Sequence, residues 1–231
     1  AKQTLIEDFR NIDSSKAKIY LVEGQDQILG MYPKPLSLKA KKYLEDLGVE
    51  VVLNTFVENI DEETVSFGNK KIKSSNVIWA AGNQASPLLK LLKTEEDHLG
   101  RAIVDSDLSI KDSDDVFVIG DAAHFKDTNG NILPGLAPVA AQQGKYLARK
   151  ILGKTSEPFH YWDKGSMATI GKAKDILKKD SIEFGGFLAW LAWCFVHILF
   201  LIDFRNKIIV FTQWALAFLF TKRCVRIIRK D

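Results

Sequence analysis

Val116-Phe117-Val118-Ile119-Gly120-Asp121-Ala122-Ala123 decides the fold. Its apolar and β-branched residues read as a buried strand that runs straight into a glycine and a carboxylate. Gly120 lets the backbone come close to a ligand, and Asp121 is left at the carboxyl end of the strand, the edge where open α/β sheets bind nucleotides. That placement suits a ribityl or ribose hydroxyl. An aspartate that caps the next helix looks the same in sequence, so the segment alone leaves both readings open.

On either side the chain alternates strand and helix. Upstream, Ala17 to Glu23 reads as a strand, Pro35 to Leu47 as a helix that ends at Gly48, and Glu50 to Leu53 as another strand. Val57 to Phe67 and Lys71 to Lys73, split by Gly68-Asn69, form a hairpin or small meander. Asn76 to Ala80 reads as a strand that closes at Gly82, within Val77-Ile78-Trp79-Ala80-Ala81-Gly82. Downstream, Leu133-Pro134-Gly135-Leu136-Ala137-Pro138-Val139 leads into a helix from Pro138 to Leu152. Lys2 to Arg10 begins in what reads as mid-helix, without a cap before it. No G-x-G-x-x-G occurs in the chain, so a complete dinucleotide-binding unit is not expected within it. The chain is expected to be the carboxyl-terminal part of a longer protein.

The three segments around Val77, Val116 and Leu133, in this order, resemble the flavin-dependent pyridine-nucleotide oxidoreductases. Gly165-Ser166-Met167-Ala168-Thr169-Ile170-Gly171 and the Trp-rich run from Gly185 to Asn206 narrow the resemblance to the type II NADH dehydrogenases, single-chain NADH:quinone oxidoreductases. The expected fold class is α/β: parts of two Rossmann-like dinucleotide-binding domains followed by an amphipathic helical membrane-binding tail. Residues 1–84 would be the remainder of an NADH-binding domain, 85–154 the carboxyl-terminal segment of an FAD-binding domain, and 155–231 a membrane-association region. The resemblance implies FAD as cofactor, NADH as substrate and a quinone as acceptor, without proton pumping. It also implies a homodimer and a place on the cytoplasmic face of a bacterial inner membrane.

Composition bounds the partners. A net charge of +3 over 231 residues says little by itself, but Lys222, Arg223, Arg226, Arg229 and Lys230 crowd the end directly after an apolar run. That is the signature of an anionic membrane surface rather than of nucleic acid. Phe184 to Ile202 carries no Asp, Glu, Lys or Arg and is close to the roughly 20 residues a bilayer core requires, whereas Ile208 to Phe220 is too short. Gly186, Trp190, Trp193 and His197 fall on one helical stripe of interfacial character, with Arg205 in the connection that follows. Two helices lying in one leaflet are therefore preferred to a crossing hairpin; core helices or a dimer interface are the alternative. Cys194 and Cys224, both in the tail, fit a reducing compartment and no zinc site. No metal is expected.

The candidate site residues follow. Glu23 ends a strand and precedes Gly24, the place of a carboxylate that accepts adenosine-ribose hydroxyls, and no arginine follows it to welcome a 2′-phosphate. A solvated glutamate is the bland alternative. Gly82 offers close backbone approach to NADH, although tight packing needs the same small residues. Pro138 suits a first helical turn, whose amides and dipole would stabilise negative charge on the flavin's pyrimidine edge. The resemblance adds Gly120, Asp121, Ala137, Pro138 and Val139 as FAD contacts. It places the quinone approach near Ala137 and Pro138, with Gln142 and Gln143, one turn on, as substitutes for a glutamine that many members carry at Pro138. Trp190, Trp193, His197, Arg205, Lys222, Arg223 and Arg226 are the expected membrane contacts. His124 reads as a loop histidine satisfied by backbone, His98 and His160 as solvated, and Lys172 and Lys174 as a solvated charged edge. A sulfide:quinone oxidoreductase would need paired cysteines near the flavin, and both cysteines lie in the tail. A non-catalytic, membrane-tethered nucleotide-fold module is the alternative from another class.

Overall fold

The structure, a computed structural model, describes residues 13, 16–111, 113–179, 181–200 and 203–219, apart from the side chains of residues 200 and 217–219. The helix expected at Lys2 to Arg10, Cys224 and the terminal basic residues, Lys222, Arg223 and Arg226 among them, lie outside the described residues. The chain divides into two compact units. One comprises residues up to Val77 together with those from Lys164 onward, the other Ile78–Asp163.

In the first unit, β1 (Ile19–Val22) and β2 (Val49–Val52) pair in parallel across α1 (Lys34–Asp46). Pro35 in the first turn suits α1 because its missing N–H would have had no intrahelical acceptor. Gly48, at φ +87°, takes the left-handed conformation that ends the helix. A meander of β3 (Val57–Ile60), β4 (Thr64–Phe67) and β5 (Lys70–Lys73) follows. Its second turn is the two-residue Gly68-Asn69 connection, with Phe67 opposite Lys70.

The carboxyl-terminal part of this unit contains a sheet that the sequence did not announce. β8 (Ser166–Gly171), β9 (Lys174–Lys179) and β10 (Ile182–Gly186) form an antiparallel sheet that packs on α1. β9 carries lysine at both ends, and Ile176 within it, at 0% exposed, packs into the core with Leu36 and Ala40 of α1. Lys39 Nζ donates to Gly185 O at 3.0 Å and ties the helix to β10. Lys174 is not a solvated edge: it lies 3.6 Å from the Asp46 carboxylate and over the Tyr43 ring. The expected helix from Phe184 is corrected too. Phe184 to Gly186 belong to β10, and Gly186, at φ +104°, ends the strand, so it falls off the Trp stripe. Two helices then follow, α3 (Phe187–Phe200) and α4 (Phe204–Leu219). Among the described residues no helix is long and apolar enough to cross a membrane.

The second unit is held by loops more than by strands. Its core gathers Ala102, Val104, Leu108, Ile110, Val118, Ala123, Phe125 and Phe159. Its regular pieces include a short parallel pair, β6 (Ala102–Ile103) with β7 (Ala123–His124), a 3₁₀ segment, Pro87–Leu92, and α2 (Ala137–Ile151). Two of its turns have one design: Asp97 and Asp127 each accept two backbone N–H bonds, from Leu99 and Arg101 and from Asn129 and Asn131. Gly100 and Gly130 supply the positive φ in them.

Two expected strands are corrected. Val116 to Ile119 is extended but bonded only on one edge: Val118 N donates to Leu108 O, and Ile110 N donates to Val116 O. That is an isolated bridge rather than a ladder. Asn76 to Ala80 is irregular, with Ile78 92% and Trp79 66% exposed. Strand propensity needs a neighbouring strand to become structure: Val116 to Ile119 finds one only at an isolated bridge, and Asn76 to Ala80 has none among the described residues.

Candidate functional site

The Gly120-Asp121 turn and the start of α2 come together in the second unit. Gly120 has φ +68°, the left-handed conformation that favours glycine, and it lies in contact range of α2, where a Cβ would meet the Ala140 Cβ at 3.4 Å. The turn is a short 3₁₀ segment, Gly120–Ala122, that leaves Asp121 exposed. Among the described residues no hydrogen bond or ion pair holds the Asp121 carboxylate. Gly135 faces it: a Cβ at Gly135 would stand 3.0 Å from Asp121 Oδ1.

Both flanks of the turn are pinned. On one side Gly120 N donates to Gln143 Oε1 at 2.7 Å, and Gln143 is 1% exposed. Gln143 therefore fixes the turn rather than facing an entering ligand. On the other side His124, three residues past Asp121, is buried with Nδ1 2.9 Å from Asp97 Oδ2. The expectation that backbone satisfies His124 is corrected: a carboxylate does so. Asp97 also takes Arg101 Nε and a terminal guanidinium nitrogen, each at 2.7 Å. Burial pushes the Asp97 carboxyl up, but the bonds from His124, Arg101 and the Arg101 and Leu99 amides outweigh it and hold the group well below the usual carboxylate range. Sequence reasoning missed Asp97 and Arg101. The signal was present in the matched D-x-x-G turns at Asp97 and Asp127.

α2 begins without a side-chain cap: Leu136 stands at the N-cap, Pro138 falls in the first turn, and no acidic residue follows there. Ala137 and Pro138 are exposed, whereas Val139 is 3% exposed and packs inward. The uncapped start presents the positive end of a 15-residue helix beside the Asp121 turn. Gln142 is committed at both ends of its amide. Its Nε2 donates to Trp162 O, and its Oε1 accepts from Trp162 N, both at 3.0 Å.

In the first unit Glu23 directly follows β1, with Oε1 accepting from Gln25 N at 3.0 Å. A Cβ at Gly24 would meet the tip of the exposed Phe56 ring, which would have to swing aside. Gly82, in the second unit, has φ +98° and open space around it. His98 and His160 are exposed. No cluster of metal-ligating side chains occurs among the described residues.

The Trp stripe is divided by the fold. Trp193 stacks on Trp214 of α4 at 5.1 Å between centroids and carries the His197 ring at 4.0 Å. The exposed apolar side of the pair is made instead by Leu188, Leu191, Phe195 and Leu199 of α3 and by Phe204, Ile208 and Phe211 of α4. Arg205 is exposed in the first turn of α4.

The pyridine nucleotide-disulphide oxidoreductase family matches residues 8–144, and the NDH2 C-terminal domain matches residues 163–223. Among relatives, NdhA of Mycobacterium tuberculosis, a type II NADH:quinone oxidoreductase, is 34% identical over 95% of this chain and 49% of its own length. Ndh of the same organism, of the same description, is 36% identical over 96% of this chain and 50% of its own. The chain thus spans about half the length of the curated relatives it matches. NDH2 of Plasmodium falciparum, solved in complex with NADH, shares the fold with a TM-score of 0.77 at 17% identity, over 90% of this chain and 59% of that one.

Proposed function

We propose, because the chain belongs to the pyridine nucleotide-disulphide oxidoreductase family, that the whole enzyme is a type II NADH dehydrogenase: it oxidises NADH through FAD and delivers electrons to a membrane quinone. The observation that carries this is the Gly120-Asp121 turn laid against the uncapped start of α2. Its residues fit a flavin dinucleotide. Small groups at Gly120, Gly135 and Ala140 keep the surface low, Asp121 offers an uncommitted carboxylate for ribityl hydroxyls, and the helix start favours negative charge. Bound FAD supplies the hydride-accepting chemistry. The chain's own work is to hold Asp121 and the first turn of α2 in register, through Gln143 on one side and the Asp97–His124–Arg101 cluster on the other.

In this reading residues 1–84 belong to the NADH-binding part, with Glu23 accepting the adenosine-ribose hydroxyls and Gly82 near the nicotinamide nucleotide. Residues 85–154 complete the FAD-binding part, and those from 155 associate with the membrane. Ala137 and Pro138 border the quinone approach, while Gln142 and Gln143 position the helix. The exposed apolar side of α3 and α4 supports association with a lipid surface, and we assign it to the cytoplasmic face.

The test is made on the full-length protein in mild detergent. A flavin spectrum bleached by NADH and restored by a short-chain quinone is expected. Asp121→Ala is expected to fold normally, because the residue is exposed, yet to lose flavin on gel filtration. A colourless wild-type protein, or full flavin retention by Asp121→Ala, would overturn the assignment.

A further inference from the structure

Between α3 and α4 runs an open apolar groove of about 560 Å³, walled by Trp190, Cys194, Ile198, Phe211, Trp214 and Ala215. From Trp190 to Leu199 it extends roughly 13 Å at the helical rise, the reach of about half an acyl chain. Its wall is almost without polar surface, and the Cys194 thiol adds none in practice, since burial and the nearby Asp175 carboxyl push its pKa up and keep it neutral.

The two ends of the groove differ. At the Leu199 end Lys207 Nζ, from the first turn of α4, donates to Leu199 O at 2.9 Å. Arg205 is exposed in the same turn of α4, and the Asp203 carboxylate beside it accepts from the Arg205 amide at 3.2 Å. Among the described residues the other end, near Trp190, Trp214 and Ala215, carries no charged side chain. A cationic mouth on an apolar channel matches one amphiphile: an anionic headgroup on an aliphatic chain.

We propose that this groove binds one acyl chain of an anionic phospholipid, with the phosphate held at Arg205 and Lys207. The inference rests on the membrane reading above but goes further. It assigns one lipid a fixed seat on the exposed apolar side of the helices, with Leu191, Phe195, Leu199 and Phe211 shared between the two roles, where surface association alone would need no retained lipid.

The experiment incubates the full-length protein in mild detergent with phosphatidylglycerol or phosphatidylcholine. Retained lipid is counted by native mass spectrometry, and sedimentation with vesicles of each lipid is measured in parallel. Wild type is expected to keep one phosphatidylglycerol per chain and little phosphatidylcholine. Ala215→Phe fills the groove and is expected to abolish retention while still sedimenting with vesicles. Arg205→Gln, at an exposed position that does not threaten folding, is expected to weaken retention roughly fivefold, the effect of one basic residue near an anionic surface.

Equal retention in both variants would overturn the seat, as would a groove found covered by a second copy of the chain or filled by co-purified quinone. Vesicle binding without any retained lipid would also overturn it but leave the membrane reading standing. Loss of vesicle binding by wild type would sink both.

Discussion

Asp97 and Asp175 are both buried carboxyl groups, one in each unit, and their surroundings treat them in opposite ways. Asp97, its side chain 6% exposed, collects bonds from His124, Arg101 and two backbone amides, and its pKa is held below the usual range. Asp175, 0% exposed in β9, receives one hydroxyl bond from Thr169 at 3.1 Å while its Oδ1 has no partner, and burial pushes its pKa up. Depth of burial does not set the charge of a carboxyl; the supply of donors does. The second unit uses ionised carboxylates as knots for its loops. The first relies on apolar packing and carries a carboxyl under strain of desolvation.

Removing the knot should have the largest effect. Asp97→Ala leaves Arg101, whose side chain is 14% exposed, without its carboxylate, and frees His124 and two amides. Breaking a buried pair in this way costs about 3–5 kcal/mol. The change should appear as a lowered urea midpoint with an unchanged slope, and a loss below about 1 kcal/mol would mean that the cluster is not a knot. Next comes Gln143→Leu, which leaves the Gly120 N–H buried without its acceptor and should cost about 1–3 kcal/mol. It should also loosen flavin, because the turn that carries Asp121 is no longer pinned. Unchanged flavin retention with lowered stability would confine Gln143 to a folding role.

A smaller effect is expected where apolar contact alone holds. The Trp193–Trp214 stack joins α3 to α4 and should contribute about 0.5–1.5 kcal/mol of coupling beyond its buried area. A double-mutant cycle with Leu at each position measures it, and zero coupling would show that the helices are held by other contacts.

The parts of the fold that were legible in the sequence are those fixed by local chemistry. Helix α1 was readable from its apolar spacing and Gly48, the meander turn from Gly68-Asn69, and the start of α2 from Pro138. Gly120 and Asp121 were readable as a glycine and a carboxylate at the end of an extended segment, with ligand contact and helix capping both left open. What stayed hidden depends on partners distant in sequence. β8 to β10 carry too few apolar residues to alternate visibly, and they exist as a sheet because Ile176 reaches α1. The role of Gln143 requires Gly120, 23 residues away, to fold against it. Conversely, Val77 to Trp79 has strand composition without a strand, since propensity supplies no neighbour.

The comparison is sharpened most finely by pH. Asp97 and Asp107 have depressed pKa values in the folded state, Asp107 at about 2 because its bonds from Ser109 and Lys150 outweigh the opposing effect of burial. Their stabilisation is present above the unfolded carboxylate value of about 3.9 and is lost as pH falls through the folded values. Asp175 has the reverse sign: its folded pKa is raised, so its contribution is intact below about 3.9 and declines as pH rises through the folded value. Asp175→Asn removes the ionisable group while keeping its shape. It should flatten the decline on the alkaline side and leave the acid limb unchanged, whereas Asp107→Asn should blunt the acid limb alone. Urea midpoints measured from acid to neutral pH separate the two. If Asp175→Asn changed the acid limb instead, Asp175 would be an ionised anchor like Asp97, and the contrast between the units would fail.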